Sequence, residues 1–73
     1  MAEPKKILIH TDYITLGQLL KLARIVEEGG EAKAYLATHE IKVNGENENR
    51  RGRKLRVNDE IELPDLTIVL VDQ

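Results

Sequence analysis

The 73-residue chain has no cysteine, tryptophan or phenylalanine. Without cysteine neither a disulfide framework nor a thiolate metal site can form, and two histidines without cysteine partners make a poor zinc set. No cofactor or metal is expected. Two tyrosines are the only aromatics, which disfavours a single-strand binder built on aromatic stacking platforms. The longest apolar run covers only Ile68 to Val71, and no basic segment followed by a long apolar one stands near the N-terminus. Neither a membrane span nor a secretory signal is expected, and a cytoplasmic location is the default. His10, Asp12 and His39 could bring acid-base groups, but their spacing suggests no triad, metal site or phosphate loop, so no enzymatic role is expected.

The chain is short enough for one modest core, so residues 1–73 are read as a single domain near the lower limit of independent stability. Small size and a charged surface favour a monomer. The net charge of −2 argues mildly against nucleic acid as a partner, but the charge is unevenly distributed. From Arg50 to Arg56 the sequence reads Arg-Arg-Gly-Arg-Lys-Leu-Arg, five positive charges and no negative one. That leaves six basic against thirteen acidic residues elsewhere. A +5 patch against a −7 remainder suits an oriented interaction with a polyanion, because the patch attracts phosphate while the acidic surface limits indiscriminate adhesion.

Lys5 to His10 reads as a short strand rich in β-branched residues. A helix begins at Thr15, an N-cap with Gln18 in the capping-box position and Ile14 and Leu19 as the hydrophobic staple. Leu16, Leu19, Leu20, Ala23 and Val26 form its inner stripe, and Gly17, Lys21, Arg24 and Glu28 fall on the solvated side. Gly29-Gly30 can end this helix, with a second one starting at about Glu31. Ala32, Tyr35 and Leu36 give the second helix its inner face, and Lys33 points outward with Lys21 and Arg24.

After His39 the period changes to two. Ile41 and Val43 alternate with Glu40 and Lys42, and Asn44-Gly45 signals a type I′ hairpin. Glu46 to Asn49 is wholly polar and reads as an exposed edge. Leu55 and Val57 look inward, Asn58-Asp59 turns, and Ile61 and Leu63 mark a further strand that Pro64-Asp65 breaks. Leu66 to Val71 has the composition of a buried strand whose neighbour is the N-terminal one, placing the termini close together. The fold class is α+β, two helices on a small, mostly antiparallel β-sheet.

The order helix, turn, helix, Val-Asn-Gly hairpin, basic connection and Asp-Glu-Ile-Glu-Leu strand resembles the S-four type RNA-binding domain, or alpha-L motif, over roughly Ile14 to Leu63. Ile14 to Leu22, Gly29 to Lys33, Val43 to Gly45 and Asn49 to Leu55 are similar in register to the stand-alone bacterial YaaA-like family. The resemblance implies binding to structured RNA, ribosomal RNA in the first place, and a ribosome-associated role in subunit assembly. It implies an RNA-facing surface of Lys21, Arg24 and Lys33 on the helix pair with Arg50, Arg51, Arg53, Lys54 and Arg56 from the loop. Many such domains carry Arg-Leu-Asp at the start of the first helix and a Ser/Thr-Arg pair opening the second. Here the matching stretches are Thr15-Leu16-Gly17 and Gly29-Gly30, which shifts the expected binding towards the loop.

Arginine forks match phosphate oxygens bidentately and stack on unpaired bases, so an Arg-rich loop suits irregular folded RNA. Other readings stay open. A basic loop is also what a solubilising surface looks like, and Gly29-Gly30 before a helix could form a phosphate nest as well as a simple cap. A protein-interaction module, docking through the polar hairpin edge and the acidic surface, is the alternative function.

Overall fold

The computed structural model describes residues 4–72. The elements run β1 (Lys5–Leu8), β2 (Ile14–Thr15), α1 (Leu16–Leu22), α2 (Gly29–Thr38), β3 (Lys42–Val43), β4 (Glu46–Asn47), β5 (Lys54–Leu55), β6 (Glu60–Glu62) and β7 (Thr67–Val71). Five strands form one sheet in the order β1-β7-β6-β3-β4, and β2 and β5 form a separate antiparallel ribbon. Only the β1–β7 pairing in the large sheet is parallel, so the expected α+β architecture with a mostly antiparallel sheet is the observed one.

The start of α1 follows from its sequence. Thr15 Oγ1 accepts the Gln18 N–H, and Gln18 Oε1 accepts the Thr15 N–H, giving a complete capping box. The staple residues Ile14 and Leu19 are both buried. The end of α1 differs from the expectation. The helix stops at Leu22 and closes in a Schellman motif, with Ile25 N–H donating to the Leu20 carbonyl and Arg24 N–H to that of Lys21.

Arg24 takes the left-handed position of that motif, at φ 61°. Ile25 lies nine residues after Leu16 in sequence, so a continued helix would point it away from the Leu16 stripe, at 100° per residue. The turn instead packs it, half-buried, against the core, and Val26 is buried as well. Gly29-Gly30 therefore does not end α1; it opens α2, behind Glu28 as N-cap.

Leu16, Leu19, Leu20 and Val26 pack with Ala32 and Leu36 of α2, with Ile41 just before β3, and with Val43, Ile61, Ile68 and Leu70 of the sheet into one core. Ala23 and Tyr35 sit at its margin, half-buried, and the Tyr35 ring stacks on His39 with centroids 4.0 Å apart. Burial, and secondarily the Asp65 carboxylate, push the Tyr35 phenol above its ordinary range. Asn44 and Gly45 have φ 53° and 86°, the paired left-handed residues a type I′ turn requires.

The parallel pairing of β1 with β7 sets Lys5 beside Ile68 and Leu8 beside Val71. The two ends of the described chain therefore lie at opposite ends of this pair and not close together, because parallel strands start side by side.

Replacing Leu20 or Leu36 by Ala is expected to lower unfolding free energy by about 2 to 5 kcal/mol, since both side chains are buried in the shared core. Urea denaturation checks this, and a loss well below 1 kcal/mol would show that the helices do not pack through these faces.

Candidate nucleic-acid interface

The basic stretch is pinned to the start of α1 through its backbone. Leu16 N–H donates to the Arg53 carbonyl and Gly17 N–H to the Arg51 carbonyl, both at 2.9 Å. Together with the Thr15 cap on Gln18, these bonds satisfy the first three N–H groups of the helix, which have no partner inside it. Loop and helix are thus one unit, extended from the β2–β5 ladder where Ile14 pairs with Leu55 and Thr15 with Lys54. Gly17 faces this junction and is not fully solvated: an added Cβ would lie 3.5 Å from the Arg51 Cβ and 3.8 Å from the Ala32 Cβ. These are ordinary contact distances, so the glycine is not required for space.

Glu48 shapes the loop from the other side. The wholly polar stretch Glu46 to Asn49 reads as an exposed edge, but the Glu48 side chain is only 7% exposed. Its carboxylate accepts bonds from the Arg50 N–H at 3.1 Å, Arg50 Nε at 3.0 Å, Arg50 Nη2 at 3.2 Å and Arg53 Nη1 at 3.1 Å. The bidentate fork and the backbone bond fix the chain's path out of β4. Hydrogen bonding to Arg50 holds the Glu48 carboxyl at about 2, with burial opposing and the Arg50 backbone bond, Arg50 charge and Arg53 bond adding to the lowering.

The eight sequence-assigned cations divide into groups. Arg50 and Arg53 are tied to Glu48, although the Arg50 side chain stays 70% exposed and that of Arg53 35%. Arg51 and Lys21 line one hollow across Gly17 and Gln18, so the helix and loop charges meet there. Lys54 and Arg56 stand over the Tyr13 ring, with Lys54 Nζ 4.9 Å and Arg56 Cζ 5.8 Å from its centroid. Arg24 and Lys33 are exposed, and neither makes an ion pair among the described residues. Arg24 is not on the solvated side of α1 with Lys21, because α1 has already ended.

Two contributors escaped the sequence reading. Glu48 was passed over because its neighbours are polar; its signal was an acidic residue two positions before an arginine run. The contact of Tyr13 with Lys54 and Arg56 follows from a β2–β5 pairing that two-residue strands do not announce.

The polar hairpin edge named in the alternative reading is β4, two exposed residues long. No helix of the described residues is long and apolar enough to cross a membrane.

Two helices packed with a small mixed sheet, the first of them bonded at its start to a loop that carries five cations, make up a small α+β domain. The S4 domain family model matches residues 7–71, and the chain belongs to that family. The match reaches beyond the Ile14 to Leu63 stretch that carried the resemblance and takes in β7 and the end of β1. The chain is also 56% identical over 63 residues, 86% of each chain, to a Bacillus subtilis (strain 168) protein described as a probable ribosome maturation protein, RlbA.

The lowered carboxyl of Glu48 makes stability depend on pH. Its bonds contribute in full above the ordinary carboxyl value of 4.5 and are lost as pH falls towards about 2. The shift corresponds to roughly 3 kcal/mol, which exposure of Arg50 to solvent reduces to about 1 to 2 kcal/mol. Urea titrations from pH 7 to 2 are expected to show that extra loss in the parent chain and not in Glu48→Gln, which is already weaker at pH 7. Parallel stability curves would rule the bond network out as a contributor.

Proposed function

We propose that the chain binds structured RNA, ribosomal RNA in the first place, without catalysing a reaction, and acts in ribosome maturation. The observation that carries this reading is the fixed basic face: Lys21 and Arg51 meet across the start of α1, with Lys54 and Arg56 alongside on the same loop. Membership of the S4 domain family and the Bacillus subtilis relative's description as a probable ribosome maturation protein support the same direction.

Phosphate binding by such a face is a matter of placement. Arg50 and Arg53 are held in a fork by Glu48, so they lose less side-chain freedom on meeting a phosphate, while one of their charges is already compensated. Arg51, Lys54 and Arg56 carry no ion pair among the described residues and supply the uncompensated attraction. Arg24, just past α1, and Lys33 on α2 are exposed and contribute through long-range attraction. The acidic remainder repels RNA elsewhere and so orients the encounter. With five to seven phosphates neutralised, log affinity falls with log salt at a slope of roughly −4 to −6.

The loop is tested best with Arg50 and Arg53 left in place, because removing them would strand the Glu48 carboxylate in a buried site without partners. The variant Arg51→Gln, Lys54→Gln, Arg56→Gln is expected to keep the parent's thermal stability. Its affinity for total ribosomal RNA should fall at least tenfold, about 1.4 kcal/mol, with a shallower salt slope. Unchanged affinity would remove the loop from the binding face. Absence of RNA binding by the parent chain at low salt would turn the reading to a protein-docking module.

A further inference from the structure

The β2–β5 ribbon has a buried side and an outer side. Ile14 and Leu55 face the core, so the alternation of strand side chains puts Tyr13 and Thr15 outside with Lys54 and Arg56. Tyr13 is 40% exposed, and the two cations stand over its ring. Beside the ring lies a shallow hollow lined by Thr11, Asp12, Tyr13, Ile14 and Gln18. Gln18 spends its Oε1 on the Thr15 N–H, which holds the side chain in place and leaves its NH2 as a donor at the hollow.

We propose that Tyr13 is the stacking platform for one unpaired nucleobase of the bound RNA, an inference that rests on the RNA reading above. An exposed ring flanked by cations matches a nucleotide in both its parts, since the base stacks on the ring while Lys54 and Arg56 take the adjoining phosphates. A cation–π contact at an exposed site is weaker than a base–aromatic stack, so the base displaces the cations and they gain phosphate partners in exchange. Asp12 on the rim disfavours phosphate there and sets the direction. The backbone enters from the Lys54 and Arg56 side, and the base points over the hollow towards Asp12 and the Gln18 NH2. One ring serves one base, which separates this site from a platform that tracks a single strand.

The test uses the whole chain and total ribosomal RNA at fixed salt. Tyr13→Leu is expected to weaken binding at least fivefold with the salt slope unchanged, and Tyr13→Phe to retain the parent affinity. Tyr13→Trp gives the chain its sole tryptophan, whose emission is expected to be quenched by ribosomal RNA and not by a blunt, fully paired RNA duplex. Parent-like affinity in Tyr13→Leu, or unaltered emission from Tyr13→Trp at saturating ribosomal RNA, would overturn the base site. If the parent chain still binds with a steep salt slope, either result removes the base site alone; if the parent binds no RNA, both readings fall.

Discussion

The Glu48 carboxylate is the constraint on which the basic face depends. Five cations within Arg50 to Arg56 repel one another, and left alone such a stretch would be an extended, mobile loop. Glu48 collects two of them in one fork at 3.0 to 3.2 Å and adds a bond to the Arg50 backbone. Burying that charge has a desolvation cost, which is offset only because every bond is made at good geometry. From the opposite side, the carbonyls of Arg51 and Arg53 take the first N–H groups of α1. The loop is thereby held at both edges, with its backbone turned inward and most of its cations turned outward.

The same junction links helix start, ribbon and loop. Thr15 caps α1, pairs with Lys54 in the ribbon, and precedes the two residues that bond the loop carbonyls. A seven-residue helix has little stability of its own, so α1 relies on these caps and on the burial of Leu16, Leu19 and Leu20. Arg24 adds a local cost, because a left-handed backbone at a residue other than glycine is unfavourable. That conformation leaves its side chain exposed just past α1, on the chain that leads to α2.

Much of the fold was legible because it rests on short-range chemistry. The Thr15–Gln18 box, the Asn44-Gly45 turn and the alternation of Ile41, Val43, Ile61 and Leu63 each act within a few residues, and the structure follows them. The end of α1 was not legible, since Gly29-Gly30 is the better terminator by propensity. The need to bring Ile25 onto the core outweighed it and placed a left-handed residue at Arg24. Glu48 was hidden for a different reason: a buried ion pair looks like surface in a polar sequence until its partners are placed. The cations themselves were found by composition, but their division between Glu48, Lys21 and Tyr13 is set by tertiary contacts that spacing does not encode.

Charge counting and loop shaping make opposite statements about one substitution, and that makes it the most direct measurement. Glu48→Gln removes a negative charge beside the basic loop, so a face governed by net charge alone would bind total ribosomal RNA more tightly at physiological salt. If Glu48 holds Arg50 and Arg53 in their working positions, the folded variant binds more weakly despite its higher positive charge. Affinity equal to or above that of the parent chain, measured on protein shown by circular dichroism to be folded, would contradict the account.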